Sequence, residues 1–201
     1  MSEFDRWEQR FAAEDYLFGT APNAFLAAQA PLLVPGRRAL SIADGEGRNG
    51  VWLAERGLSV QALDFSPTAL AKARDLAAAR GVAIETERAD LFAWDWPDAA
   101  FDVIVGIFFQ FAPPAERTVI FEGIRKALKP GGLLLIQGYR PEQLVYATGG
   151  PKAVEQLYTR ELLEAAFGDF ATLEIREHDS EVAEGAGHHG MSALIDLVGR
   201  K

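Results

Sequence analysis

A short apolar strand, Ala39-Leu40-Ser41-Ile42-Ala43, runs directly into Asp44-Gly45-Glu46-Gly47-Arg48-Asn49-Gly50, and this junction constrains the chain more than any other feature. Glycine enters the left-handed backbone region without the steric cost that other residues bear, so this density of glycine marks a tight turn from strand to helix. Such a turn presents backbone rather than side chains. Gly45 and Gly47 let a ligand approach closely, and the N–H groups that open the next helix suit a phosphate or a carboxylate.

The segments that follow alternate regularly. Val51 to Arg56 reads as helix, ended by Gly57, and Leu58 to Leu63 as a second strand. Ser66 suits an N-cap and Pro67 the first helical position, and Leu70, Ala73, Leu76 and Ala77 form one face of the helix they open. Val82 to Arg88 and Phe101 to Val105 are the third and fourth strands. Pro113-Pro114 opens a helix with Ile120, Ile124 and Leu128 on one side, and Lys129-Pro130-Gly131-Gly132 ends it. Leu133 to Ile136, apolar throughout, suits a strand covered on both faces. A helix begins at Thr159, and Thr172 to Glu177 and Ser192 to Val198 are two further strands with no helix between them.

This order predicts an α/β fold: a Rossmann-like, doubly wound, mostly parallel seven-stranded sheet finished by a C-terminal antiparallel hairpin. Residues 1–35, with Trp7, Phe11, Phe25 and Leu26, are expected to form a helical N-terminal cap, and 1–201 to form a single domain. The chain has no cysteine, so disulfides and thiolate metal sites are excluded. His188 and His189 are adjacent but lack an evident third ligand, so no metal is expected. No apolar run reaches the roughly 18 residues of a membrane span, and the first ten residues lack a signal peptide's layout. A cytoplasmic protein is the expectation. The net charge of −9, without a basic stripe, argues against nucleic acid as a partner.

Ligands of a doubly wound sheet bind at the carboxyl ends of its strands. Asp64 lies there, 19 residues after Gly45, where a carboxylate takes both hydroxyls of a ribose. Asp90, followed by Leu91, ends the third strand, within reach of an adenine amino group. Gly45-x-Gly47-x-x-Gly50 with its spaced acid also satisfies the dinucleotide fingerprint, so an NAD-dependent oxidoreductase remains a rival. Against it, the chain closes with a hairpin soon after the fifth strand and has no second mononucleotide half.

The glycine turn, Leu63-Asp64-Phe65-Ser66, Ala89-Asp90-Leu91, Phe101-Asp102-Val103-Ile104 and Leu128-Lys129-Pro130-Gly131-Gly132 stand in the order seen in class I S-adenosylmethionine (SAM)-dependent methyltransferases, which the chain resembles. Tyr16 to Asn23, Gly45 to Asn49, Pro141 to Leu144 with Thr148 to Lys152, and Glu184-Gly185 with His188 and Gly190 resemble the tellurite-resistance and thiopurine methyltransferase-like branch. The resemblance implies that Ala43, Gly45 and Gly47 hold the methionine part of SAM, with Asn49 also among the cofactor-binding residues. It likewise implies that Asp64, Phe65 and Ser66 take the ribose, Asp90 and Leu91 frame adenine, and Phe108 borders the sulfonium. Two positions depart from the pattern: Ser41 stands where relatives carry an acid, and Ala43 where they carry glycine.

Methyl transfer needs alignment and exclusion of water more than acid–base chemistry. A thiolate or a metalloid oxyanion needs little help from a base, whereas an amine or hydroxyl needs one within reach. His188, in a glycine-rich loop, is the first candidate base, with His189 and Tyr139 behind it. Arg140 is a candidate clamp for an anionic acceptor, or the partner of a surface acid. The expected partner is a small-molecule acceptor, and the expected assembly a monomer or weak homodimer. A protein methyltransferase and a non-catalytic SAM or nucleotide binder are the alternatives.

Overall fold

A computed structural model describes residues 2–201. Its seven strands are ordered β3-β2-β1-β4-β5-β7-β6 in one sheet. The chain forms two compact units, one made of the residues up to Trp94 with Glu184–Gly187, the other of Asp95–Ala183 with His188–Lys201.

The first unit opens with α1 (Glu3–Phe11) and α2 (Ala24–Ala28). A reciprocal cap between Ser2 and Asp5 starts α1, and the Asn23 side chain caps α2 by accepting the Leu26 N–H. Then come β1 (Arg38–Ile42), α3 (Arg48–Glu55), β2 (Ser59–Asp64), α4 (Pro67–Ala79) and β3 (Glu85–Arg88). The three strands pair in parallel, with Ile42 opposite Leu63 and Asp64 opposite Arg88. Ser66 and Pro67 fill the cap and first helical positions of α4, as their chemistry predicts. The third strand is shorter than its expected range, because Val82 and Ile84 pack instead against Val51, Leu76 and Ala77.

The second unit contains β4 (Phe101–Ile107), α5 (Pro114–Ala127), β5 (Leu128–Tyr139), α6 (Gln143–Tyr146), α7 (Arg160–Phe167), β6 (Thr172–Glu184) and β7 (His188–Arg200). β4 and β5 are parallel and buried almost throughout, whereas β7 runs antiparallel to β5 with Gln137 opposite Asp196. Both strands of the C-terminal hairpin run longer than expected, and His188 begins β7 rather than lying in the loop. Lys129-Pro130-Gly131-Gly132, expected between helix and strand, lies within β5, held by backbone bonds to the last residue, from Gly131 N–H to the Lys201 carbonyl and from Lys201 N–H to the Gly132 carbonyl.

Within this unit α5 lies so close to the Trp96 indole that a Cβ on Gly123 would stand 2.3 Å from the ring. Gly123→Ala is therefore expected to force an overpacked core, costing about 1–3 kcal/mol. Chemical denaturation should show the midpoint falling without a change in m; an unchanged midpoint would mean that the indole yields freely.

Candidate active site

The glycine turn is built from left-handed residues: φ is 56° at Gly45 and 87° at Gly47, and 47° at Ala43. The two glycines serve different ends. A Cβ on Gly47 would stand 2.6 Å from the Ala73 Cβ, so this glycine lets α4 close on the turn. A Cβ on Gly45 would meet only the Phe11 ring, at 3.5 Å. Ala43 holds a conformation disfavoured for a residue with a side chain by roughly 1–2 kcal/mol, where the resemblance expects glycine. Strain of this kind collects at functional sites.

Asp64 ends β2 with its carboxylate turned into this turn. Oδ2 accepts the Gly45 N–H at 2.8 Å and Oδ1 accepts the Ser66 N–H at 2.9 Å. One side chain thus ties the glycine turn to the start of α4. An ionised carboxylate has about four acceptor positions, so these backbone bonds leave Asp64 capacity for a ligand hydroxyl. Burial pushes its pKa up to about 6, opposed by the backbone N–H groups of Ser66, Gly45 and Phe65 and reinforced by the Glu8 charge. Asp44 is buried in the same turn, and burial lifts it to about 7 despite bonds from Ser41 and Gly50.

The other residues predicted from sequence divide into two groups. Asp90 is exposed and accepts the Phe92 N–H at 3.0 Å through one oxygen, leaving capacity for an adenine amino group; Leu91 is buried beside it in sequence. Phe65 is half-buried and meets Phe4 edge-on at 5.7 Å. Two residues are engaged elsewhere. The Ser66 hydroxyl accepts the Ala69 N–H at 3.0 Å and donates to Glu8 of α1. Asn49 Oδ1 accepts the Asn23 N–H at 2.9 Å.

Indeed the non-glycine side chains of Gly45-Glu46-Gly47-Arg48-Asn49 all bind the N-terminal segment or the hairpin tip. Buried Glu46 accepts the Leu17 N–H at 2.7 Å and pairs with Lys72, which also donates to the Ala13 and Asp15 carbonyls. Arg48 pairs with Glu184 at 2.6 Å, and Glu184 also accepts from Asn23 Nδ2 at 2.9 Å. The N-terminal segment is therefore fastened to the turn by hydrogen bonds to Glu46 and Asn49, and the turn to α4 and the hairpin tip by ion pairs. Sequence reasoning missed this because each partner is far away in the chain.

In the second unit Phe108 follows β4 with φ 54°, another left-handed residue that is not glycine. Its ring stacks on Tyr139 at 4.6 Å and meets the half-buried His188 edge-on at 4.4 Å. Arg140 pairs with Asp179, and with Glu142 at 3.4 Å, so its charge is already matched. His189 is exposed. An unexpected polar chain crosses three strands: Gln137 Nε2 donates to Asp196 at 2.6 Å, and the same carboxylate lies 3.0 Å from His178 Nε2. Only the β5–β7 register reveals it. Among the described residues no three His, Cys, Asp or Glu side chains cluster as a metal site, and no helix is long and apolar enough to cross a membrane.

Residues 39–132 match a family model described as a methyltransferase domain. Demethylmenaquinone methyltransferase of Thermus thermophilus is 36% identical over 107 residues, covering 52% of this chain and 48% of that protein. The chain spans about half the length of the curated relatives it matches. Similar solved structures include one for the conversion of a disulfide bond into a thioacetal group during echinomycin biosynthesis (TM-score 0.76, 19% identity, covering 100% of this chain and 94% of that one). TehB from Haemophilus influenzae (TM-score 0.74, 19% identity, 98% and 66% covered) shares the fold as well. So does the N-methyltransferase NodS from Bradyrhizobium japonicum with S-adenosyl-L-homocysteine (TM-score 0.72, 15% identity, 98% and 97% covered). The matched segment is thus similar to a methyltransferase domain, and the chain shares the Rossmann-like fold of these structures. An adenosyl ligand would find an acceptor in this turn, since Asp64 keeps capacity beyond its backbone bonds.

The two raised carboxyl groups predict how the ligand-free protein responds to pH. Both bind protons more tightly folded than unfolded, so the penalty for ionising them is absent below about pH 4 and complete above about pH 7. Raising the pH from 5.5 to 8 should cost on the order of 2 kcal/mol, about 4–8 °C in Tm. Asp44→Asn should flatten this dependence in a thermal melt. A Tm that rises over the interval would contradict the assignment.

Proposed function

We propose that the chain is a SAM-dependent methyltransferase that passes the methyl group in-line to a small-molecule acceptor with a soft nucleophile, a thiol or a metalloid oxyanion. The observation that carries the cofactor half is the Asp64 carboxylate, bound on both oxygens by the turn and by the start of α4, with acceptor capacity left over. Bound SAM would supply a methyl group already activated on a sulfonium. The chain's own residues then have to bind and orient. Asp64 fixes the sugar, Asp90 and Leu91 frame the base, and Gly45 leaves space along the turn.

The acceptor half rests on what the second unit offers. The guanidinium of Arg140 is matched by Asp179 and Glu142, so it is a poor clamp for a further anion. His188 packs its ring edge-on against Phe108 and Tyr139, so its ring is part of an aromatic cluster. A nucleophile that ionises near neutrality needs neither group as a base. We assign the acceptor to the neighbourhood of Phe108, Tyr139 and His188, in keeping with the left-handed backbone at Phe108. The resemblance to the tellurite-resistance branch and the fold shared with TehB support the metalloid form of this reading.

The same three rings favour a second reading, a flat aromatic acceptor, which the demethylmenaquinone methyltransferase relative also supports. Transfer of radiolabelled methyl from SAM to tellurite, selenite, small thiols and demethylated quinols separates the two. Methylated oxyanion or thioether product from the first three is the expected result. Label confined to the quinol fraction would replace the soft acceptor with the aromatic one, and label found only in protein would overturn both. In the productive assay Phe108→Ala should lower kcat/KM by about 10–100-fold, judged by what misalignment costs such reactions.

A further inference from the structure

Ser41 leaves the end of β1 without an acid, yet a carboxylate occupies the turn from three residues later. Asp44 is buried, and its Oδ1 accepts the Ser41 hydroxyl at 2.6 Å. The Gly50 N–H, in α3, lies 3.2 Å from Oδ1 and 3.1 Å from Oδ2. Ser41, Asp44 and Gly50 form one unit, because a Cβ on Gly50 would stand 2.4 Å from Asp44 Oδ2. Two donors against about four acceptor positions leave the carboxylate with capacity to spare.

The charges around it call for a cation. Asp64 of β2 is the second buried carboxylate beside the turn, and Glu8 of α1 adds its charge to that of Asp64. Arg48 of α3 is the cation that acts on Asp44, and its Nη2 is already held by Glu184. Lys72 of α4 is engaged by Glu46 and by cap carbonyls. With Glu46 matched by Lys72 and Arg48 acting on Asp44, ionisation of both Asp44 and Asp64 would leave net negative charge that an incoming ammonium group would offset.

We propose that Asp44 is a positioning residue for the cationic amino-acid end of the cofactor, so that in this chain the turn rather than the strand end carries the acid. This rests on the SAM reading of the site and deepens it. It also accounts for the sequence departure at Ser41: the hydroxyl orients a carboxylate that has moved along the chain. The extra burial of Asp44, which pushes it up to about 7, then makes its ionisation sensitive to what binds.

Calorimetric titration of the full chain with two probes tests the proposal. S-adenosylhomocysteine has the amino-acid end, and 5′-methylthioadenosine lacks it. Asp44→Asn should weaken S-adenosylhomocysteine about tenfold to thirtyfold, the loss expected for a charge-assisted contact, and leave methylthioadenosine within about twofold. Asp64→Asn should weaken both. Affinity for S-adenosylhomocysteine should rise from pH 6 to pH 8 more steeply in the wild type than in Asp44→Asn, where only Asp64 still completes its ionisation. Ser41→Asp combined with Asp44→Ser should restore most of the affinity, and it carries the test if Asp44→Asn does not melt as a folded protein. Equal weakening of both probes, no weakening of either, or a double variant that still binds only methylthioadenosine well would overturn the role of Asp44. Failure of the wild type to bind either probe would instead overturn the cofactor reading itself.

Discussion

The carboxylate of Asp64 is the contact on which the first unit of this protein depends. It ends β2, accepts the Gly45 N–H from the turn after β1, and accepts the Ser66 N–H at the start of α4. One side chain thereby joins the turn after β1 to the β2–α4 junction, 19 residues further along the chain. The cost is a buried charge, expressed as a pKa lifted to about 6, and backbone N–H groups offset part of it. A surface acid would avoid that cost. The same groups that hold the carboxylate in place also aim it, and aiming is what a ligand site needs.

Division of labour within Gly45-Glu46-Gly47-Arg48-Asn49 follows from this constraint. Gly47 serves helix packing and Gly45 keeps the turn open, while Glu46, Arg48 and Asn49 reach outward to the N-terminal segment and the hairpin tip. The N-terminal segment is not a decoration on the fold. Glu8 binds Ser66 and Thr68, Lys72 holds three carbonyls of residues 11–15, and Glu184 gathers Arg48 and Asn23. A substitution in the cap therefore acts on the turn through charges that are buried, and such charges are costly to leave unmatched.

Much of this was legible in the sequence, for identifiable reasons. The alternation of apolar strands with capped helices specified the seven-stranded sheet and the closing hairpin, and Ser66-Pro67 and Thr159 marked helix starts by local chemistry alone. The positions of Gly45 and Asp64 at neighbouring strand ends were legible because they depend on spacing along one βαβ unit. Side chains with two available partners were not. Asn49 and Ser66 belong to a cofactor motif by position, yet Asn23 and Glu8 engage them, and only tertiary structure brings those residues near. His188 was expected in a loop because glycines surround it, but the strand begins at that residue. The Gln137–Asp196–His178 chain was invisible for the same reason, since it is a matter of register between strands.

The central claim is that the turn and Asp64 hold an adenosyl group carrying an amino acid rather than a dinucleotide. Parallel calorimetric titrations of the unmodified protein with S-adenosylhomocysteine and with NAD put that claim to its most direct test. Saturable binding of S-adenosylhomocysteine with a stoichiometry of about one, and no heat of binding with NAD, is the result this account predicts. Tight binding of NAD with indifference to S-adenosylhomocysteine would contradict it.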